Sequence, residues 1–105
     1  PRALKGCKGG VFVGVATSDY GHIIPPEHHQ GYVLLGNSSS ILASRLSYFL
    51  DWVGPCMAID TACSSSLVAV HQACQSLLSG ECEIAVAGGG SVLVTPGLHI
   101  MTSQL

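Results

Sequence analysis

Charge is what this sequence has least of. Asp, Glu, Lys and Arg make up 10% of its 105 residues, where an ordinary globular domain carries roughly 25%. Four basic residues and a net charge of −2 exclude a nucleic-acid surface, which needs a Lys/Arg patch to neutralise phosphates. The shortage is also local: none of these four residue types occurs from Thr61 to Gly80 or from Ile84 to Leu105. In a chain that is 48% apolar, such stretches predict elements buried on most sides. Neither is a membrane span. The first carries Ser64, Ser65, Ser66, His71, Gln72 and Gln75, and the second is broken by Gly88-Gly89-Gly90 and Pro96.

Other signatures are missing too. Pro1-Arg2-Ala3 runs into glycines rather than into an apolar leader with a cleavage site. The five cysteines, at 7, 56, 63, 74 and 82, are odd in number and contain no CxxC pair, and His28-His29 are adjacent rather than three to five apart. That spacing predicts neither a disulfide framework nor a metal site, and free thiols in the cytoplasm are the expectation. Gly88-Gly89-Gly90 is followed by Leu93 where a phosphate-binding loop would place its last glycine, so close backbone packing accounts for it better than phosphate cradling. The absence of an initiator Met, and an ending at Gln104-Leu105 within an apolar stretch, suggest an excerpt of a larger protein.

What is present alternates between two periods. Val11-Phe12-Val13-Gly14-Val15, bounded by Gly9-Gly10, predicts a buried strand. Residues 20–32 hold Pro25-Pro26, two glycines and three histidines, which predicts a loop. Asn37-Ser38-Ser39-Ser40 then offers capping side chains to a helix with an apolar stripe of Ile41, Leu42, Leu46, Phe49 and Leu50 beside Arg45, ending near Asp51. Cys56-Met57-Ala58-Ile59-Asp60 predicts a second buried strand. Leu67, Val70, Cys74 and Leu77, with Leu78 alongside, predict a second helix stopped by Gly80. Glu83-Ile84-Ala85-Val86-Ala87 predicts a third strand, with Ser91 to Val94 continuing extended. The fold class is α/β.

The chemically notable junction is Ile59-Asp60-Thr61-Ala62-Cys63-Ser64-Ser65-Ser66, where a strand turns directly into a helix. Cys63 at a helix N-terminus would meet unpaired backbone N–H groups and the positive end of the helix dipole, which lower a thiol pKa. The same N–H groups, that of Cys63 among them, can stabilise an oxyanion on an attacked thioester. The residues alone leave a second reading open, in which Cys63 is an inert buried thiol and Asp60 or Thr61 merely caps the helix. Cys74 sits on the apolar stripe, Cys56 inside a strand, and Cys7 and Cys82 in or beside loops.

The run from Gly54 to His71, with Asp60-Thr61-Ala62-Cys63-Ser64-Ser65-Ser66-Leu67-Val68-Ala69 at its centre, resembles the nucleophile signature of β-ketoacyl synthases of type I polyketide synthases. The likeness extends to Gly36-Asn37, to residues 44–49 and 75–83, to Ala87-Gly88-Gly89, and more weakly to Val11-Phe12-Val13-Gly14 and Asp19-Tyr20. It implies a thiolase-like fold, layered αβαβα when complete. Residues 1–105 would be part of the N-terminal half of one such domain, with no second domain.

The resemblance implies an acyltransferase. Cys63 would be the catalytic nucleophile, taking an acyl group from a carrier-protein thioester before condensation with a decarboxylated malonyl-type extender. It implies no cofactor and no metal, since both substrates ride on the phosphopantetheine of acyl carrier protein. The implied partners are that carrier, a second copy in a homodimer and other synthase domains in cis, with no nucleic acid and no membrane. Two further histidines that assist the family's reaction lie outside these residues, so the 105 residues alone are expected to be inactive. His71 is no substitute: it stands eight residues along the helix from Cys63, about 12 Å of axial rise. His22, His28 and His29 fall in the loop where the family makes subunit contacts, and read as surface residues. A non-elongating ketosynthase that only binds and passes on acyl chains, or the ketosynthase of a type I fatty-acid synthase, would share this signature.

Overall fold

The computed structural model describes residues 2–16, 18–28 and 30–105. Three parallel strands form its centre: β1 (Gly9–Val15), β2 (Cys56–Ile59) and β3 (Ile84–Gly90), in the order β2-β1-β3. Val11 pairs with Cys56 on one side and with Val86 on the other. β1 is thus hydrogen-bonded along both edges, and six of its seven residues are buried. It needs no polar side chains because both faces are covered.

Two helices, α1 (Gly31–Asn37) and α2 (Ser39–Leu50), connect β1 to β2, and α3 (Ser65–Leu78) connects β2 to β3 past β1. These crossovers run in opposite directions along the sheet, and a common right-handed sense sends their helices to opposite faces. The two cores agree. Val11 packs with Ala43 and Trp52 on the α2 face, and Phe12, the next residue of β1, packs with Ala69 and Ala73 on the α3 face. A short helix, α4 (Gly97–Thr102), ends the chain.

Several expectations hold, including the three strands and two crossover helices. Gly80 stops α3 with φ +77°, its N–H donating to the Leu77 carbonyl at 3.2 Å. Others need correction. The segment 20–32 holds short 3₁₀ turns at Tyr20–Ile23 and Pro26–His28, and its last two residues begin α1. The polar run 37–40 does begin a helix, since α2 starts at Ser39 with the extended Ser38 as its N-cap, but Ser38 makes no side-chain cap hydrogen bond and also separates α2 from α1. β3 runs on through Gly88, Gly89 and Gly90, while Ser91 to Val94 forms no regular element. β2 is an edge strand with Cys56 and Met57 exposed, and Cys82 is buried.

The larger correction concerns which way the helices face. In α3 the buried residues are Ser65, Ala69, Ala73 and Ser76. The bulky stripe of Leu67, Val70, Cys74 and Leu77 points outward, with Leu67 74% exposed. In α2 only Ala43 is buried, and Leu42, Leu46 and Phe49 are exposed. The charge-free stretch 61–80 is therefore covered on one face only, and no residue from 84 to 105 is buried. The outcome is a slab of 44 × 35 × 18 Å with a radius of gyration of 16.0 Å, against about 13 Å for a compact chain of this length.

Candidate active site: the turn that carries Cys63

In a parallel sheet all strands end at one edge, and ligands gather where neighbouring strands send their connections to opposite faces. β1 and β2 are such neighbours, and Cys63 follows β2 at that edge. The helix begins at Ser65 with Ser64 as N-cap. Cys63 therefore stands one residue before the cap, in the turn, rather than within the first helical turn. Its side chain is exposed. No acceptor for the Cys63 N–H occurs among the described residues.

The turn is tight enough to force Ala62 to φ +55°, a left-handed conformation that costs a residue with a Cβ about 1 kcal/mol. A network of hydrogen bonds holds it. The Ala62 N–H donates to Asp60 Oδ1 at 3.0 Å, and its carbonyl accepts from Ser65 N–H at 3.1 Å and from Ser65 Oγ at 2.6 Å. Ser65 Oγ also accepts the Thr61 N–H at 2.9 Å. Ser64 Oγ lies 2.8 Å from both the Thr61 carbonyl and Thr61 Oγ1. Asp60, Thr61, Ser64 and Ser65 are thus the frame on which Cys63 is presented.

Ser66 has a different task, set by glycine. A Cβ on Gly14 would come within 2.7 Å of the Ser65 and Ser66 backbone, and one on Gly89 within 2.8 Å of Ser66 Cβ. Gly14 and Gly89 are paired across β1 and β3. Together they make a flat floor on which the first turn of α3 rests. Close packing is therefore the role of Gly89, whereas a Cβ on Gly88 or Gly90 would meet nothing within 4 Å. The sequence singled out Cys63 but not Ser65, Gly14 or Gly89 as its supports. The one available signal was the glycine inside an otherwise β-branched strand.

The other candidates do not join this turn. His22, His28 and His71 are exposed on the 3₁₀ turns and on α3, and His29 lies outside the described residues. Among the described residues no three of His, Cys, Asp and Glu form a metal-holding cluster, and no helix is long and apolar enough to cross a membrane. Burial pushes the Cys56 thiol pKa up, with a Ser47 hydrogen bond opposing the rise.

On the opposite face of the sheet a groove of about 660 Å³ runs between the α1–α2 joint and β3. Val13, Val15, Gly88, Gly90, Ser18 and Val92 are among the residues that line it. It exists because α2 covers β1 and β2 but leaves β3 open on this side.

The family model for the β-ketoacyl synthase N-terminal domain matches residues 1–105. The chain is 48% identical over 104 residues to the reducing polyketide synthase ppsB of Aspergillus oryzae, covering 97% of this chain and 4% of that protein. It is 50% identical over 97 residues to erythronolide synthase EryA3 of Saccharopolyspora erythraea, covering 91% of this chain and 3% of that one. Among solved structures it is similar to the ketosynthase from module 6 of the bacillaene synthase of Bacillus subtilis 168, with a TM-score of 0.84 at 39% identity over 98% of this chain and 17% of that one. The α/β, thiolase-like fold is borne out. Within that fold this chain forms a three-stranded parallel sheet with helices on both faces.

Proposed function

Because the chain belongs to the β-ketoacyl synthase family, matching its N-terminal domain over residues 1–105, we propose that the protein containing it performs the chain-extending condensation of polyketide synthesis, with Cys63 as acyl acceptor. In the first stage Cys63 Sγ attacks the carbonyl of an acyl thioester on acyl carrier protein. A new C–S bond forms, and the carrier's thiolate leaves. In the second, the malonyl-type extender loses CO₂, and the electron pair released from that C–C bond attacks the Cys63-bound carbonyl. The new C–C bond expels the Cys63 thiolate, leaving the β-ketoacyl product on the carrier. Thiol chemistry suits both stages, since a thiolate both attacks and leaves well. The reaction calls for neither metal nor redox cofactor.

The observation that carries this reading is the strained turn that holds Cys63 exposed at the sheet edge, with its N–H unspent as an oxyanion donor. Exposure by itself does not distinguish Cys63, because Cys56 and Cys74 are exposed as well. Only Cys63 sits in a turn braced from four residues. The resemblance supplies acyl carrier protein, a homodimeric partner and neighbouring synthase domains as partners, in the cytoplasm. It also leaves the 105 residues by themselves inactive.

The test is labelling of the full-length protein. Iodoacetamide or cerulenin is expected to modify Cys63 well before Cys7, Cys56, Cys74 and Cys82, and Cys63→Ala to lower condensation at least about 10³-fold. Equal labelling of all five cysteines would refute the assignment.

A further inference from the structure

Beyond the last paired residues, Val15 and Gly90, β1 and β3 are joined again by a side chain. Asp19 accepts three hydrogen bonds from the segment that follows β3: Val94 N–H to Oδ1 at 3.1 Å, Thr95 N–H to Oδ2 at 2.9 Å and Thr95 Oγ1–H to Oδ2 at 2.7 Å. Both carboxylate oxygens are used, across 75 and 76 residues of sequence. Thr95, and then Val94, hold the Asp19 carboxyl below its usual range. Residues 91–96 contain no helix or strand. The carboxylate replaces the ladder that ended with β1 and β3.

The place of this clasp gives it meaning. Each clasped segment grows out of the floor under the Cys63 turn: Gly14 lies five residues before Asp19, and Gly89 six before Thr95, and both touch the first turn of α3. The same segments supply Ser18 and Val92 to the lining of the groove on the other face. The clasp thus lies beyond the ends of β1 and β3, at the sheet edge from which Cys63 emerges. We propose that Asp19 is a positioning residue: its carboxylate fixes Val94 and Thr95 against the chain at Ser18–Asp19 and so sets the geometry in which an acyl thioester reaches Cys63. This rests on the reading of Cys63 as acyl acceptor.

The experiment measures acylation of Cys63 in the full-length protein by butanoyl and octanoyl thioesters of N-acetylcysteamine, beside its alkylation by iodoacetamide. Asp19→Ala and Thr95→Val are expected to lower kcat/KM for acylation by about tenfold or more, as displacement of reacting groups does, with unequal effects on the two chain lengths. Iodoacetamide alkylation should stay within about twofold, because a small reagent needs no positioned acyl chain. Thr95→Ser keeps the hydroxyl donor and both backbone donors and should restore acylation. Wild-type protein that is acylated at Cys63, with Thr95→Val and Asp19→Ala acylated just as fast, overturns the inference alone. Wild-type protein that takes no acyl group at Cys63 overturns the reading beneath it. Should Asp19→Ala fail to fold, the Thr95→Val and Thr95→Ser pair decides: equal acylation rates in those two refute the clasp's role.

Discussion

The two faces of one sheet show how differently the same residue type is used. On the α3 face, Gly14 and Gly89 lie directly under the Ser65–Ser66 backbone, and Ala69 and Ala73 settle onto Phe12. On the α2 face, Gly88 and Gly90 are neighbours of Gly89 in the same strand, yet a Cβ on either would project into open space. Side chains alternate across a strand, so consecutive glycines serve opposite faces. One pair of glycines is required by a contact. The other leaves a groove.

The largest expected effect comes from setting these glycines against each other. Gly14→Ala places a Cβ against backbone that cannot swing aside and should cost about 3 kcal/mol in urea unfolding of the full-length protein. Gly90→Ala should cost less than about 0.5 kcal/mol, as a residue with free space around it does. A loss at Gly90 as large as that at Gly14 would mean that another part of the protein closes on the groove. That would break the distinction between the faces.

A smaller effect is expected at the brace of the turn. Ser65 is buried and its Oγ serves both the Thr61 N–H and the Ala62 carbonyl. Ser65→Ala should cost about 1–2 kcal/mol by leaving those groups unsatisfied. It should also lower the selectivity of iodoacetamide for Cys63 over Cys74, as measured by peptide mapping. Unchanged selectivity would show that the glycine floor alone fixes the turn.

The smallest effect is on the open side. The Asp19 pKa lies below its ordinary value of 3.8, so the folded state binds its proton less readily than the unfolded chain. The clasp's contribution is therefore fully present above pH 3.8 and is lost as pH falls through the lower, folded value. Hydrogen exchange of the Val94 and Thr95 amides should speed up in that acid window before the amides of β1 do. Simultaneous loss of protection in both would show that the clasp has no independent opening.

Much of this architecture was legible because it depends on period and punctuation. Strands at 11–15, 56–60 and 83–87, a helix stopped at Gly80 and a cysteine at a strand-to-helix turn all follow from spacing. The facing of the helices was not legible. Periodicity in α3 selects Leu67, Val70, Cys74 and Leu77 as the most apolar stripe, and a helix on a sheet is expected to bury that stripe. Here glycines lie under Ser65 and Ser66 and Phe12 lies under Ala69 and Ala73, so the helix turns its small residues Ser65, Ala69, Ala73 and Ser76 inward. Size overrode hydropathy. Helix α1 is not legible in the sequence because Gly31 and Gly36 speak against a helix, and its neighbours are the adjoining α2 and the 3₁₀ turn at Tyr20–Ile23.

The sequence by itself therefore determined the order of elements, the poverty of charge and the identity of the residue presented at the sheet edge. Each of these is written in neighbouring residues. Tertiary structure alone decided that Gly14 and Gly89 share a floor, that Ser65 rather than Ser64 or Ser66 is the buried brace, and that Asp19 finds Thr95 across 76 residues. Those facts depend on strand order and register, which bring together groups that no local pattern connects.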